Sequence, residues 1–432
     1  MRQGKYATRH RQARQGRRSG GPLPGPTRCM ARCRSPKLSV GVPTVAGMRL
    51  LHTSDWHLGR SLHREDLLSA QESYVDHLVE VVDAEAVDVV LVAGDVYDRA
   101  LPGVEAVRLC NEALGRLAST GARVVLISGN HDSARRLGFA ADLIDAAGVH
   151  LRTDPADVGR PVLLEDRHGP VAIYPIPYLE PDAVADALGC DERGHAAVVS
   201  AAMARVRADL ARRPTGTRSI AMAHVFATGG EPSESERDIV VGGLATVPTA
   251  VFAGVDYAAL GHLHGPQRLA EHIRYSGSPL PYSFSEARHR KSSWLVELGA
   301  TGLQRVEAVP TPVHRPLAKL RGRLADLLAD PGLARHEHSF LSITVTDPAR
   351  PADAMRILRT RFPHALLLAF APDGQTDLGE ESYLSRLRGR DDLQIATGFV
   401  EFVRDRAVDE WERVLLTQAV QHAALEPDVG AA

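Results

Sequence analysis

The chain has 432 residues, 44% of them apolar and 24% charged, with 51 Lys and Arg against 53 Asp and Glu. This is the composition of a soluble globular protein with length for two to three domains and a real core. No run approaches the 18 apolar residues of a membrane span, and four cysteines are too few for a disulfide framework.

The charge is unevenly placed. Residues 1–47 hold 11 Lys and Arg and no acidic residue, which leaves 40 basic against 53 acidic residues, a balance of −13, in the remainder. The stretch has no apolar segment to serve as a signal peptide, although a transit peptide or a nucleic-acid arm shares its composition. Met48-Arg49-Leu50-Leu51 leads directly into the first strand. We therefore read residues 1–47 as a disordered, dispensable or mis-assigned extension. Cys29 and Cys33 lie in it, Cys110 in a helical pattern and Cys190 in a polar loop. C-x-x-x-C without a second pair is a poor zinc signal, and a reducing cytoplasm fits best.

An apolar run, Leu50–Ser54, opens into Asp55-Trp56-His57. A helix is expected over Glu65–Glu85, where Leu67, Tyr74, Leu78 and Val82 recur at near-helical spacing. Strand Asp88–Ala93 meets Gly94-Asp95, and a helix over Val104–Leu117 starts after Pro102. Strand Ala122–Ser128 meets Gly129-Asn130-His131-Asp132, and a helix follows to Gly148. Strand Val171–Pro177 ends in a proline-locked turn. A helix over Ala196–Ala211 precedes strand Ser219–Ala223, which meets His224. Strand Asp256–Leu260 meets Gly261-His262-Leu263-His264. Short strands at Ile273–Ser276 and Ser293–Leu298 complete a first domain, residues 48–309. The βαβαβ order predicts a parallel sheet with right-handed crossovers.

Pro310, Pro312 and Pro316 mark a boundary. Residues 310–380 read as a small α+β module: helix Leu324–Leu333 interrupted at Pro331-Gly332, strand Phe340–Val345, helix Ala352–Arg361, strand Ala365–Phe370, then a polar loop over Asp373–Glu380. Residues 381–432 end in helices, with Phe399, Phe402, Val403, Trp411, Val414, Leu415 and Ala419 at i, i+3, i+4 spacing. There are no internal repeats.

Five strand ends thus deliver Asp, Asn and His to one edge, where open α/β sheets collect their ligands. Divalent ions of the Mn²⁺, Fe²⁺ or Zn²⁺ type accept mixed carboxylate and imidazole ligands. A bridging carboxylate can hold two of them for phosphate-ester hydrolysis. Asp55, His57, Asp95, Asn130, His224, His262 and His264 supply that set, and the neutral Asn130 amide ligates without adding negative charge. His131, beside Asn130, can face a leaving group as general acid. D-x-H alone is weak, and G-H-x-H alone is little better, since alternate strand residues share a face for structural reasons. The ordered conjunction of all five, each after an apolar strand, is specific.

These motifs resemble those of the calcineurin-like metallophosphoesterases. The resemblance implies an α/β fold built as a two-sheet β-sandwich flanked by helices, with a smaller α+β capping domain and C-terminal helices, in place of a simple parallel sheet. It implies one metal on Asp55, His57, Asp95 and His264 and another on Asp95, Asn130, His224 and His262, with Asp95 as the bridge. It gives His131 the leaving group, and Asp132 is a candidate to orient His131. Within that family, Thr53–Gly59, Ala93–Asp98, Gly129–Ser133, Pro175–Leu179, Glu236–Gly243 and Tyr275–Pro279 resemble the SbcD-type nuclease subunits. The likeness is strong from Met48 to Leu298 and looser through the C-terminal helices. It implies a DNA nuclease acting on ends and hairpins with two divalent metal ions, Mn²⁺ foremost. Its setting would be a homodimer within a heterotetramer with an SbcC-type coiled-coil ATPase, cytoplasmic and nucleoid-associated, with no membrane. Relatives in archaea and eukaryotes carry a histidine three residues after the bridging Asp. Here that position is Asp98, which we read as a helix-capping carboxylate before Pro102 rather than a second catalytic group.

An acidic body is unusual for a nuclease, since phosphate contacts dominate DNA affinity. Local candidates for DNA contact are His63, Arg135, Arg136, Arg290 and Lys291. Tyr282 and Phe284 have the chemistry either to stack on bases or to pack inside. The apolar stripe of the C-terminal helices is read as a partner-binding face.

Overall fold

The computed structural model describes residues 47–236, 246–373, 392–404 and 406–425. The basic stretch through residue 46 with Cys29 and Cys33, residues 237–243 of one motif, the loop after Asp373 and the side chains of Phe402 and Val403 lie outside the described residues.

Seventeen strands are described. They are β1 (Met48–Thr53), β2 (Ser61–Leu62), β3 (Glu65–Asp66), β4 (Val89–Ala93), β5 (Arg123–Ile127), β6 (Val149–Arg152), β7 (Val162–Asp166), β8 (Gly169–Ile176), β9 (Arg218–His224), β10 (Tyr257–Gly261), β11 (Gln267–Ala270), β12 (Ile273–Tyr275), β13 (Ser292–Gly299), β14 (Gly302–Pro310), β15 (Leu317–Gly322), β16 (Phe340–Val345) and β17 (Ala365–Phe370). Two six-stranded sheets form the body, ordered β14-β13-β1-β4-β5-β6 and β11-β12-β10-β9-β8-β7. In the first, β1, β4, β5 and β6 run parallel while β13 and β14 return antiparallel. In the second, β8, β9, β10 and β12 run parallel, with β7 and β11 antiparallel at the edges. The expected parallel run is therefore present in each sheet but flanked by antiparallel strands.

Alternation of side chains across each strand explains the layering. Leu50, Leu91, Val125 and Ile127 of the first sheet meet Val171, Ile173, Ile220 and Met222 of the second in one buried cluster. Their neighbours Leu51, Val90, Val92 and Leu126 face outward onto helices α1 (Leu68–Ala84) and α2 (Val104–Ser119). Tyr174, Ala221, Ala223 and Leu260 of the second sheet face Val198, Ala202 and Val206, which project from the helix over His195–Leu210. Strands covered on both faces read as continuous apolar runs, which is why they stood out in the sequence.

Local departures have local causes. The helix expected from Glu65 begins at Leu68, because β2 and β3 form a hairpin and the Asp66 carboxylate accepts the Leu68 N–H at 2.9 Å. The helix expected before Gly148 is two short pieces, Ala134–Leu137 and Ala141–Asp145, separated by Ala140 at φ 61°. Strands β6, β7, β11, β14 and β15 and the helix over Pro181–Leu188 were not expected. β14 is mostly exposed and has no apolar run to announce it.

The last sheet, β15-β16-β17, is parallel and carries its own core of Leu320, Leu341, Ile343, Val345, Leu358 and Phe362. A further cluster joins Leu62, Leu67, Leu280, Tyr282 and Phe284 of the body to Leu317 and Phe340 of that sheet. The C-terminal part holds helices over Asp392–Arg404 and Glu410–Leu425. Among the described residues no helix is long and apolar enough to cross a membrane.

Candidate metal centre

The carboxyl ends of β1, β4, β5, β9 and β10 converge because backbone pairing continues past the strands. Asp55 N–H donates to the Gly94 carbonyl at 3.0 Å, and His57 N–H to the Asp95 carbonyl at 2.9 Å, so the first two loops run in fixed register. The third loop is stapled to the second. The Asp95 carboxylate accepts the His131 N–H at 2.9 Å, and the Asp132 carboxylate accepts the N–H groups of Val96, Tyr97 and Gly129 at 2.9–3.1 Å. The fifth loop hangs on the first, with His262 N–H on the Asp55 carboxylate at 3.0 Å. Asp55, His57, Asp95 and His262 all have positive φ, at 53°, 46°, 49° and 105°. Non-glycine residues held there are strained, and strain of this kind clusters at functional sites. Close approach also requires glycine: a Cβ at Gly129 would sit 2.1 Å from an Asp95 carboxylate oxygen.

Side chains from the two sheets meet in the resulting pocket. His57 Nε2 and His264 Nε2 are 3.0 Å apart. Asp95 Oδ2 lies 3.6 Å from His57 Nε2, 3.4 Å from His224 Nε2 and 4.0 Å from His131 Nε2. Asn130 Oδ1 sits between His224 Nε2 at 2.9 Å and His262 Nδ1 at 3.2 Å. Asp55 joins both His57 with His264 and Asp95 with His224 in groups whose ligand atoms lie within 4.8 Å. Asp55, His57, Asp95, His224, His262 and His264 are all buried.

The electrostatics fit a cation. Burial pushes the Asp55 carboxyl up to about 6, with Asp95 adding to the rise against the lowering pull of His224 and His264. Burial presses His57 well below its ordinary value and His262 down to about 3. Burial also acts against a charged His224, but the Asp95 and Asp55 carboxylates outweigh it and hold it up at about 9. Imidazole nitrogens and carboxylate oxygens aimed at one another with so little compensating charge form the donor set of a divalent-ion site.

Residues 48–266 match the family model of the calcineurin-like phosphoesterases. The chain belongs to that family. Residues 313–404 match a second model, SbcD_C, described as the type 5 capsule protein repressor C-terminal domain. Among solved structures, the phosphoesterase is similar to TT1561 of Thermus thermophilus, at 10% identity over 62% of this chain and 100% of that one, TM-score 0.36. It is similar to a dimetal phosphatase from Danio rerio, at 12% identity over 62% and 99%, TM-score 0.36. It is also similar to the sulfate thiohydrolase SoxB of Thermus thermophilus, at 11% identity over 63% and 58%, TM-score 0.32. The phosphoesterase fold implies divalent metal ions, and the buried His and Asp groups are where such ions fit.

Other expected residues fall elsewhere. Asp98 does not cap α2, whose N-cap is Gly103. Asp98 instead stands 3.8 Å from His57 Nδ1 and pairs with Arg60 at 3.6 Å. Asp132 spends its oxygens on three backbone N–H groups, and the acceptor at His131 Nδ1 is the Asp98 carbonyl at 2.8 Å. Lys291 is no surface contact for DNA. It is buried with Glu286 as an ion pair, and its ammonium also donates to Ser278 Oγ and to the His264 carbonyl at 2.8 Å. Tyr282 and Phe284 are buried and pack. His63 is exposed and stacks on Phe284 at 5.4 Å, while Arg135, Arg136 and Arg290 lie at or near the surface.

Sequence reasoning missed Ser235, Glu286 and Arg60. Ser235 Oγ is 2.7 Å from His264 Nδ1 and 2.5 Å from the Glu286 carboxylate. Burial pushes that carboxyl up, but Lys291 and His264 outweigh it and hold it below the ordinary range. The charged stretch from Glu286 to Lys291 carries no pattern that distinguishes a buried pair from a solvated loop.

Proposed function

We propose that this phosphoesterase is a metal-dependent DNA nuclease subunit that cuts ends and hairpins with an SbcC-type ATPase in DNA repair and recombination. The observation that carries the reading is the joining, in one chain, of a phosphoesterase centre with a C-terminal region matching SbcD_C. Asp55, His57, Asp95 and His264 would hold one ion, and Asp95, Asn130, His224 and His262 the other. Two divalent ions, Mn²⁺ in this reading, supply Lewis acidity and an activated water for phosphodiester hydrolysis.

The chain's own groups complete the chemistry. Asp95 Oδ2 lies within 4.0 Å of three imidazoles, the place of a shared ligand. His131 turns Nε2 toward it while Nδ1 is fixed on the Asp98 carbonyl. An imidazolium so held donates its Nε2 proton to the leaving oxygen. Arg135, Arg136, Arg290 and His63, at or near the surface, are the DNA contacts in this reading. Exposed Trp411, Val414 and Leu415 on the last helix support docking of the ATPase. Exposed Leu101, Val104, Phe139 and Leu143, on segments tied by the Arg136 bond to the Ala100 carbonyl, support a homodimer. The same reading places the protein in the cytoplasm, at the nucleoid.

The test is cleavage by the chain from Met48, with Mn²⁺, of a DNA hairpin beside a phosphomonoester. Hairpin cutting that Asp95→Ala abolishes is the expected result. Hydrolysis of the small ester with DNA untouched, also after an SbcC-type ATPase and ATP are added, would replace the nuclease by a small-molecule phosphoesterase.

A further inference from the structure

Five strand ends carry the residues assigned to metal, and a sixth strand ends beside them. β8 runs parallel to β9 with Ile176 opposite Ala223, so Pro177 and Tyr178 come level with His224. The Tyr178 N–H donates to the Ser128 carbonyl at 2.8 Å, which ties this end of the second sheet to the loop that carries Asn130. Leu179 is buried in the core beneath, and Pro177 and Pro181 restrict the backbone on either side. The Pro175–Leu179 motif thus has a fixed place next to the pocket, and neither a metal-ligand role nor a proton-transfer role falls to it.

The Tyr178 ring is half-buried. It meets the His224 imidazole edge to face with centroids 6.4 Å apart, and it packs on buried His195 at 5.8 Å. Its hydroxyl donates to the Glu180 carboxylate at 3.1 Å, which fixes the ring. Two residues past His224, Phe226 is also half-buried, with its ring 6.3 Å from that of His262. The Val247 N–H on the Phe226 carbonyl at 2.8 Å and the Ala227 N–H on the Tyr275 hydroxyl at 2.8 Å hold that turn. Across the pocket, the ring against His57 and His264 is Tyr282, which is buried and spends its hydroxyl on the Trp56 carbonyl. Partly open aromatic surface therefore borders His224 and His262, while a closed ring borders His57 and His264.

Hydrolysis of a bare phosphate ester needs no such surface. A nucleotide uses it, because every base has a π-face, and stacking one base on a protein ring is worth about 5–150-fold in affinity. The Glu180 carboxylate at the phenol tip disfavours a phosphate there, so the neutral base rather than the backbone suits this ring. A base reaches a protein ring only once it leaves its own stack, as at a frayed end or in a hairpin loop.

We propose that Tyr178 and Phe226 form a stacking platform for an unpaired nucleobase next to the phosphodiester being cut. The two rings bind substrate and set specificity: they select nucleic acid over simple phosphoesters without reading base identity. This rests on the nuclease reading above.

The experiment is steady-state cleavage of a DNA hairpin by the full chain with Mn²⁺, the SbcC-type ATPase and ATP. Each nucleotide flanking the mapped cut is replaced in turn by an abasic residue. At one of the two positions the wild type loses about 5–150-fold in kcat/KM, and the loss falls on KM. Tyr178→Leu with Phe226→Leu loses a similar factor on the intact hairpin, and the gap between variant and wild type closes on the abasic one. Tyr178→Phe, which keeps the ring, restores what Tyr178→Leu loses. In the uncut complex with His131→Ala, 2-aminopurine at the sensitive position is quenched, and adding Tyr178→Leu relieves the quenching. Thermal unfolding of the variants verifies the fold. Equal cleavage of intact and abasic hairpins by the wild type would overturn the platform. So would variants that lose equally on both hairpins, or a Tyr178→Phe as impaired as Tyr178→Leu. A wild type that cuts no DNA at all would instead overturn the nuclease reading on which the platform stands.

Discussion

Strand β9 carries a buried basic side chain at each end, and the two ends are treated in opposite ways. At its start Arg218 is buried but paired: the guanidinium is bidentate to Asp166 and also donates to the Gly169 carbonyl at 2.7 Å. At its finish His224 is buried against Asp95 and Asn130. The neighbours repeat the contrast. Ahead of β10, Asp256 accepts the Ser219 N–H at 2.6 Å, whereas just past it comes His262 at φ 105°. In β1, Arg49 pairs with Glu297 at 2.9 Å, and past it comes Asp55. One rim of the sandwich neutralises its own charges and so holds the fold. The other gathers acids and imidazoles that a cation must complete. Self-compensated charge serves stability, and uncompensated charge with strained backbone marks chemistry.

The sharpest break of that contrast is Asp95→Ala. Turnover should fall to background and bound metal should be lost, by activity assay and metal analysis. His131→Ala should keep its metal and lose about 10²–10⁴-fold in turnover, the usual worth of a general acid. At the opposite rim, Asp166→Ala strands a buried guanidinium and should cost about 3–5 kcal/mol in urea unfolding, with turnover per folded molecule unchanged. A loss of activity there at full stability would dissolve the distinction. Adding Mn²⁺ at about a hundred times its dissociation constant should stabilise the wild type by about 2.7 kcal/mol, and Asp95→Ala not at all. The smallest effect concerns acid. Arg218 holds the Asp166 carboxyl below its ordinary value of 3.8, so the pair stabilises the fold above that pH, and the contribution is lost as the pH falls through the lower folded value. Unfolding midpoints at pH 5 and pH 3 should converge between wild type and Asp166→Asn at the lower pH.

Much of the centre was readable in the chain because each ligand-bearing loop follows a strand buried on both faces. An apolar run ending at Gly94-Asp95 or Gly129-Asn130 states where the strand stops and what it presents. Asp98, Lys291 and Glu286 were not readable for the opposite reason. A charge in a loop normally meets water, and only a partner distant in sequence or a wall of packed rings makes it internal. Lys291 looked like a phosphate contact until His264 and Ser278 closed over it. β14 and the β2–β3 hairpin were hidden because exposed or two-residue strands leave no period to detect.

The sequence by itself determined the order of the ligand-bearing strands and loops, the identity of the candidate ligands and the family likeness, since these follow from local apolar periodicity and from motifs a few residues long. Tertiary structure alone decided which nitrogens of His57, His224 and His264 face the pocket. It also decided that Asp98 stands beside His57 instead of capping a helix, and that Glu286 and Lys291 are buried together. Those outcomes depend on contacts between residues tens to hundreds of positions apart, and on the desolvation that packing two sheets together imposes.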